Sequence, residues 1–107
     1  MLEIDCRSVA DRLKSGDDLV LLDCRERDEH ALVKIEGAQL MPMSEMQARV
    51  EELAGLRDRD VVIYCHHGSR SLQVAVWLAG QGFGKVKSLS GGIDRWAVEV
   101  DPTLPRY

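Results

Sequence analysis

Short apolar runs along the chain alternate with segments whose apolar residues repeat at helical spacing. Four runs are predicted to be strands, at residues 19–22, 38–41, 61–64 and 86–89. The first of them is wholly apolar, which is typical of a strand that is covered on both faces. Pro42 ends the second run, because proline has no N–H for the hydrogen bonds of a sheet.

Three helices are predicted in the first half of the chain. The first is capped by Asp5 and ends at Gly16, and its apolar positions follow the spacing i, i+3, i+4, i+7: Cys6, Val9, Ala10 and Leu13. A short polar helix is predicted over residues 27–32. Residues 44–47, Ser-Glu-Met-Gln, are interpreted as a capping box. The helix that follows them is predicted to have one apolar face of Met46, Val50, Leu53 and Ala54.

Two further helices are predicted in the second half. One runs from about Ser69 to Gln81 and is closed by Gly82. Its inward stripe is predicted to consist of Leu72, Ala75, Val76 and Ala79. Gly91-Gly92 leads into a short last helix that ends near Trp96, and the final residues are predicted to be irregular.

Strands that alternate with helices predict an α/β fold with a parallel sheet and helices on both faces. Right-handed crossovers place every strand-to-helix loop at one edge of that sheet, where ligands of such folds bind. Cys65 follows one predicted strand, and Asp23 and Arg25 lie at the end of another. The 107 residues are enough for one domain, residues 1–107, with one core.

Charge and cysteine content narrow the function classes. The formal net charge of −4 gives no broad basic surface for nucleic acid or anionic lipid, so any anion site must be local. The apolar runs are too short to span a membrane. The first residues, MLEIDCRS, lack the pattern of a secretory signal, and the chain has three cysteines, an odd number. Both features favour free thiols and a cytoplasmic location.

Most of the other cysteines and histidines are interpreted as structural. Cys24 alternates away from Asp23 and Arg25, and Cys6 lies on the apolar face of the first helix, so both are predicted to be core residues. His30 is predicted at the surface of the short polar helix. No metal is expected, because a zinc site built on Cys65 and the two histidines after it would crowd its ligands on adjacent residues.

The segment YCHHGSRSLQ carries the candidate chemistry. Cys65 precedes a helix, whose N-terminus presents unpaired N–H groups and about half a positive charge. Gly68 can adopt a positive φ that turns successive N–H groups inward, and Arg70 adds a permanent charge. Together they are expected to lower the thiol pKa and to hold an anion beside the sulfur. His66 and His67 are adjacent, so one is expected to face a substrate and the other solvent.

Two longer segments resemble the rhodanese family. The segment LLDCRERDEHALVKIEGAQLMP is similar to the family's LLDVRE…E…HIxGAxxIP. The segment VVIYCHHGSRSLQVAVWLAGQGFGKVKSLSGGIDRW is similar to its active-site loop, helix and closing GGxxxW. The match keeps the family's order and covers nearly the whole chain. It implies a small three-layer α/β fold with a mostly parallel five-stranded central sheet flanked by helices on both faces.

The resemblance also implies a sulfurtransferase without metal or organic cofactor. In the family, the loop cysteine takes sulfane sulfur from a small anionic donor such as thiosulfate, becomes a persulfide, and passes the sulfur to a nucleophilic acceptor such as cyanide. Carried onto this sequence, the sulfur carrier is Cys65, and the substrate cradle is formed by His66, His67, Gly68, Ser69 and Arg70. Asp23 and Arg25 match an Asp-x-Arg that braces the loop or helps to hold substrate.

The sequence departs from the family pattern at two positions. Lys34 stands where a histidine is frequent, and Cys24 stands where a valine is usual. A Cys24 within reach of Cys65 would act as a resolving thiol, but strand alternation is expected to point it elsewhere. The ending EVDPTLPRY is similar to that of rhodanese domains fused to enzymes that activate sulfur-carrier proteins, which implies a sulfur-acceptor protein as partner. The physiological donor and the oligomeric state stay open.

Three alternatives are kept. A phosphatase would use the same cysteine-to-arginine loop, but four residues separate Cys65 from Arg70, whereas the related phosphatases have one more to surround a tetrahedral phosphate. A non-catalytic binding module of the same fold usually loses the loop cysteine, which this chain keeps. A redox thiol protein needs a nearby partner thiol, which the sequence does not supply close by.

Overall fold

A five-stranded sheet forms the centre of the fold in the computed structural model, which describes residues 2–107. Its strands are β1 (Glu3–Ile4), β2 (Leu19–Asp23), β3 (Gln39–Leu40), β4 (Asp60–Tyr64) and β5 (Val86–Leu89). They lie in the order β1-β5-β4-β2-β3, and every pair is parallel. The predicted α/β fold with a five-stranded parallel sheet is therefore confirmed. The apolar pattern predicted four of these strands, and β1 was missed because two residues are too short for a periodic signal.

Helices cover both faces of the sheet. They are α1 (Cys6–Lys14), α2 (Arg27–Leu32), α3 (Met43–Arg49), a 3-10 helix (Val50–Leu56), α4 (Ser69–Gly80) and α5 (Gly92–Glu99). One core cluster contains residues of α3, the 3-10 helix and α4, such as Met46, Leu53 and Leu78. A second cluster on the opposite face contains residues of α1 and α5, such as Val9 and Trp96. No helix of the described residues has the length and apolar content needed to cross a membrane.

Alternation along the two central strands decides which side chains share a face. In β4, Val61 and Ile63 enter the first core cluster together with Cys65, which follows the strand. In β2, Val20 and Leu22 enter the same cluster, and so does Cys24. Because Asp23 pairs with Tyr64 in register, Cys24 and Cys65 are neighbours at the carboxyl ends of adjacent strands and lie on one face.

The start of α1 follows the sequence prediction. The Asp5 carboxylate accepts a hydrogen bond from the Ser8 N–H at 2.7 Å, which satisfies one of the free donors of the first turn. The helix ends at Lys14, and Gly16 follows with a φ of 77°. The Cys6 and Val9 side chains on its inner face are fully buried, as predicted.

The predicted capping box at residues 44–47 is wrong. The helix α3 already begins at Met43, directly after Pro42, whose fixed φ suits the residue before a first turn. Ser44 lies inside the first turn, and its hydroxyl donates to the Glu26 carboxylate at 2.7 Å. Hydrogen bonding to another segment therefore replaces the local cap. The buried positions Met46 and Leu53 of this region were predicted correctly.

The predicted inward stripe of α4 is correct for Ala75 and wrong for Val76 and Ala79. The buried residues are Ser71, Val74, Ala75 and Leu78, whereas Val76 is 55% exposed and Ala79 is exposed. Both sets have helical spacing, because this helix carries apolar residues on most of its circumference. The rotation is decided at the start of the helix, where the Ser71 hydroxyl lies 2.7 Å from the Ser88 hydroxyl of β5.

Candidate active site

The turn from β4 to α4 surrounds the Cys65 sulfur with hydrogen-bond donors. The Gly68 N–H donates to Sγ at 3.1 Å and the Ser71 N–H donates to it at 3.3 Å. The Ser71 hydroxyl lies 3.5 Å from the same sulfur. Gly68 has a φ of 106°, and a Cβ there would meet the Gly91 nitrogen at 3.2 Å. Glycine is needed here because the turn combines a left-handed backbone with a close neighbour.

The N-terminus of α5 holds the outside of this loop. The Ile93 N–H donates to the Cys65 carbonyl at 2.9 Å, and the Asp94 N–H donates to the His66 carbonyl at 3.0 Å. Gly92 permits the approach, because a Cβ at this position would lie 2.5 Å from the Cys65 oxygen. With the loop carbonyls bound outside, its N–H groups are free to converge on the sulfur.

The surroundings of Cys65 favour its thiolate. The pKa of this thiol is lowered because the Cys24 thiol donates a hydrogen bond to its sulfur and because Ser71 and Gly68 donate to it as well, whereas burial opposes the shift. The residue is 1% exposed, so these donors act where water is largely excluded. Thiolate is the reactive form of cysteine, and Cys65 is therefore the nucleophile that the site offers.

The position of Cys24 corrects one sequence expectation. The residue is fully buried, as predicted, and its side chain points away from Asp23. It was also expected to point away from Cys65, and this is wrong, because both side chains enter the same core cluster on one face of the sheet. The prediction used only the alternation of side chains along β2. The in-register pairing of β2 with β4 puts both thiols on the same face of the sheet.

Arg70 is held by Glu29 of α2. Its guanidinium donates to both carboxylate oxygens, at 2.8 and 3.0 Å, in a bidentate pair. The Tyr107 hydroxyl donates to the same carboxylate at 2.7 Å. Arg70 and Tyr107 lower the pKa of Glu29 to about 2, against the effect of partial burial. The Arg70 guanidinium therefore lies beside the loop, and Glu29 of α2 fixes its orientation.

Asp23 and Arg25 form a fully buried ion pair beside the loop. The guanidinium donates to the two Asp23 oxygens at 2.9 and 2.8 Å, and both side chains are 0% exposed. A further nitrogen of Arg25 donates to the Tyr107 hydroxyl at 2.9 Å. His30 also reaches this cluster, with Nδ1 2.7 Å from an Asp23 oxygen, so its predicted place at the surface is wrong. These contacts favour bracing as the role of the pair.

The two loop histidines lie in different environments. The ring of His66 stacks on Tyr107 with centroids 3.8 Å apart and planes 6° apart. Burial and the neighbouring His67 lower its pKa, which favours the neutral ring. The His67 side chain is 66% exposed, with Nδ1 3.9 Å from an Asp94 oxygen. His67 is therefore the histidine that faces solvent, and Ser69 is exposed as well.

Sequence reasoning missed three residues of this arrangement: Ser71, Glu29 and Tyr107. Ser71 has the position of a third helical residue, where an N–H directed at the loop can be expected, and the helix start could have indicated it. No local signal marks Glu29 or Tyr107, which reach the site from separate parts of the chain. In the described residues, no group of three or more His, Cys, Asp or Glu could hold a metal ion.

A separate groove lies elsewhere on the molecule. It is lined by residues such as Lys34, Ile35, Trp96 and Leu104, and it contains none of the loop residues. Lys34, which replaces the family's frequent histidine, is exposed there and makes no contact with the loop that the structure records. The groove has no cysteine among the described residues that line it, so the candidate site is placed on the Cys65 loop by the chemistry of its thiol.

The fold and the loop define an α/β protein with a nucleophilic cysteine at the carboxyl edge of a parallel sheet. The family model of the rhodanese-like domain matches residues 5–99, and the chain belongs to this family. The predicted resemblance is thereby confirmed.

Similar proteins include enzymes that transfer sulfur. The chain is 43% identical over 95 residues to a sulfurtransferase of Allochromatium vinosum, covering 89% of this chain and 87% of the relative. It is 35% identical over 79 residues to the thiosulfate sulfurtransferase GlpE of Coxiella burnetii, covering 74% and 72%. It is 39% identical over 102 residues to a longer relative, the probable adenylyltransferase/sulfurtransferase MoeZ of Mycobacterium tuberculosis, covering 94% of this chain and 26% of that protein.

A solved structure supports the same fold. The rhodanese-related protein of Thermoplasma volcanium superposes with a TM-score of 0.79 at 27% identity, and 94% of each chain is covered.

Proposed function

We propose that Cys65 carries sulfane sulfur from an anionic donor such as thiosulfate to a nucleophilic acceptor. The thiolate attacks the outer sulfur of thiosulfate, the sulfur–sulfur bond of the donor breaks, and sulfite leaves. The enzyme is left with a persulfide on Cys65. The observation that carries this proposal is the pair of main-chain N–H groups, from Gly68 and Ser71, that point at the Cys65 sulfur.

The charge distribution around the loop suits this chemistry. A persulfide holds negative charge, and preorganised N–H donors in a water-poor site stabilise such charge. Arg70 places a positive charge beside the loop, and because Glu29 offsets much of it, the N–H groups of Gly68 and Ser71 remain the main donors to an anion in this proposal. His66, His67, Gly68 and Ser69 complete the cradle in this proposal.

The name of one relative supports the proposed donor. The name of GlpE contains thiosulfate, which supports thiosulfate as donor for this chain. The physiological acceptor in this proposal is a protein, with cyanide as its substitute in an assay, and the MoeZ match supports only the sulfurtransferase part of it. All three cysteines are free, which suits a reducing compartment such as the cytoplasm.

The test is intact-protein mass spectrometry after incubation with thiosulfate, together with thiosulfate:cyanide turnover. The wild type is expected to gain one sulfur atom and to turn over, and Cys65→Ser is expected to do neither while keeping its far-UV circular dichroism. Cys6→Ser is the control, because Cys6 is buried on the other face of the sheet, where burial raises its pKa to about 11. Turnover retained by Cys65→Ser would refute the assignment.

The same preparation tests the phosphatase alternative. An aryl phosphate is added in place of thiosulfate, and release of the aryl alcohol is followed. We expect no hydrolysis, because the loop from Cys65 to Arg70 is one residue shorter than that of the related phosphatases. Phosphate ester hydrolysis without thiosulfate turnover would reverse the proposal.

A further inference from the structure

Two cysteines meet at the carboxyl ends of β2 and β4. The Cys24 N–H donates to the Tyr64 carbonyl at 3.1 Å, which extends the parallel pairing of the two strands by one residue beyond Asp23 and Tyr64. Cys24 and Cys65 thus lie side by side, and both side chains enter the same core cluster. Each thiol shifts the pKa of the other, with that of Cys65 lowered and that of Cys24 raised, as expected for neighbouring side chains on one face of the sheet.

This arrangement is compatible with a disulfide bond. Neighbouring strands lie about 4.8 Å apart, and disulfides link residues whose Cα atoms are about 4.4–6.8 Å apart. Side chains of in-register residues in a parallel pair also point to the same face. The third cysteine does not compete, because Cys6 lies on the opposite face, with Sγ 3.7 Å from the Ser90 carbonyl.

We propose that Cys24 is a resolving thiol, and that it gives this protein a second activity, the release of sulfide from the Cys65 persulfide. The inference rests on the proposed function, since the persulfide must first be formed. It concerns a position at which this sequence departs from the family pattern, because Cys24 stands where a valine is usual.

The resolving step balances without any added oxidant. Cys24 Sγ attacks Cys65 Sγ, a bond forms between these two atoms, and the bond from Cys65 Sγ to the outer sulfur breaks. The thiol proton of Cys24 passes to the departing sulfur, which leaves as hydrosulfide. The outer sulfur is reduced by two electrons, and the two cysteines are oxidised to a disulfide. A dithiol reductant then restores both thiols and is itself oxidised to a disulfide.

The charge on Cys65 controls when this step occurs. While Cys65 is a thiolate, the hydrogen bond to it, together with burial, raises the pKa of Cys24 and keeps that thiol protonated. In the persulfide, the negative charge has moved to the outer sulfur. The charge on Cys65 Sγ therefore no longer raises the pKa of Cys24 as strongly, and Cys24 can lose its proton more easily. An acceptor that binds promptly takes the sulfur, and in its absence Cys24 removes it as sulfide.

The test is a single turnover with thiosulfate under anaerobic conditions, without cyanide and without added thiol. Sulfite and sulfide are quantified, the intact mass is measured, and peptides are mapped without reduction. The wild type is expected to release one equivalent of each product and to lose two hydrogen atoms, with its Cys24 and Cys65 peptides linked. The rate of sulfide release is expected to be independent of protein concentration, because the step is intramolecular.

Two variants isolate the thiol of Cys24. Cys24→Ser keeps a hydrogen-bond donor beside Cys65 but cannot form a disulfide, so it is expected to release sulfite, to keep the extra sulfur, and to release at least tenfold less sulfide. Cys24→Val replaces the thiol by the family's usual residue and is expected to retain the persulfide as well. Cys6→Ser is the matched control and is expected to behave like the wild type.

The outcomes separate the two proposals. If no variant or wild-type sample gains sulfur or releases sulfite, the proposed function itself fails. If the wild type accumulates a stable persulfide without sulfide or a linked peptide, the resolving role of Cys24 is overturned and the sulfurtransferase proposal stands. If the Cys24 variants do not fold, the peptide map of the wild type alone decides between these results.

Discussion

Arg70 and Asp23 are both charged residues beside the loop, but their surroundings give them different roles. Arg70 is about one-third exposed, and its partner Glu29 is also reached by solvent. Asp23 is completely buried against Arg25. An exposed ion pair contributes little to the free energy of unfolding, whereas loss of one partner of a buried pair leaves an uncompensated charge. Arg70 is therefore available for anion binding, and Asp23 for holding the site together.

Arg70→Ala is expected to impair thiosulfate binding more than stability. Loss of a hydrogen bond to a charged group costs about 1.5–3 kcal/mol, so the KM for thiosulfate should rise by about tenfold or more. The free energy of unfolding should fall by less than in Asp23→Asn, because the Arg70–Glu29 pair is partly exposed to water. Steady-state kinetics and urea denaturation measure the two quantities.

Arg59→Ala is the control for this variant. Arg59 forms a surface ion pair with Asp18, so this substitution also removes one positive charge. Arg59 directly precedes β4 and therefore lies at the edge of the sheet away from the loop. Its KM should match that of the wild type. An Arg70→Ala enzyme with an unchanged KM for thiosulfate would argue against Arg70 as part of the cradle.

Asp23→Asn is expected to destabilise the fold. The substitution preserves the shape of the side chain but leaves the buried Arg25 guanidinium without its counter-charge, at a cost of about 3 kcal/mol or more in the free energy of unfolding. Glu52→Gln in the exposed pair with Arg49 should cost less than about 0.5 kcal/mol. Equal urea midpoints for the two variants would contradict the bracing role of Asp23.

The helix α5, which follows β5, holds the Cys65 loop, which follows β4. Its first N–H groups bind the carbonyl groups of Cys65 and His66, which face away from the sulfur. Ser71 performs the complementary task from α4, since its N–H donates to the sulfur and its hydroxyl contacts Ser88 of β5. The first turns of α4 and α5 thus fix the position of the site. A substitution in either turn should change the surroundings of the Cys65 sulfur.

Gly92→Ala is expected to disrupt the contact of α5 with the loop. The residue has a φ of 62°, and the added Cβ would lie 2.4 Å from the His66 oxygen, so either the loop or the helix must move. We expect a loss of about 2–4 kcal/mol in the free energy of unfolding and a strong decrease in sulfur transfer.

Gly80→Ala provides the comparison, because a Cβ at the last residue of α4 meets nothing within 4 Å. This variant should be neutral or stabilised by up to about 1 kcal/mol. Wild-type stability and activity in Gly92→Ala would show that the contact of α5 with the loop is dispensable.

Across the whole molecule, distant segments converge on one edge of the sheet. The site receives Asp23 and Arg25 from the end of β2, Glu29 from α2, the Cys65 loop after β4, and Tyr107 from the end of the chain. Glu29 joins three of these segments through Arg70 and Tyr107. Its ionisation therefore links the assembly of the site to the stability of the fold.

Acid is expected to weaken this link. The pKa of Glu29 is lowered from 4.5 to about 2 by its contacts with Arg70 and Tyr107, so its contribution to stability is complete above about pH 4.5 and is lost as the pH falls towards 2. Glu29→Gln should reduce the fall in the free energy of unfolding across this interval, as measured by urea titrations at several pH values. An unchanged slope in Glu29→Gln would exclude this linkage.

Much of the architecture followed from the chain pattern. The runs at 19–22, 61–64 and 86–89 have enough uninterrupted apolar residues to identify buried strands, and the helical spacing after Asp5 identified α1. The order of strands and helices then placed Cys65, Asp23 and Arg25 at one edge. The rotation of α4 could not be predicted, because two sets of residues on that helix have the same apolar spacing.

The sequence by itself determined the element order, the parallel α/β class and the loop that holds the thiol, since these depend on local periodicity and on the glycine and arginine next to Cys65. Only the tertiary structure decided that Arg70 pairs with Glu29, that Tyr107 stacks on His66, and that Cys24 lies beside Cys65. The physical reason is that such contacts depend on strand register and helix rotation. Both are set by packing between segments that are far apart in the chain, and neither leaves a periodic signal in the sequence.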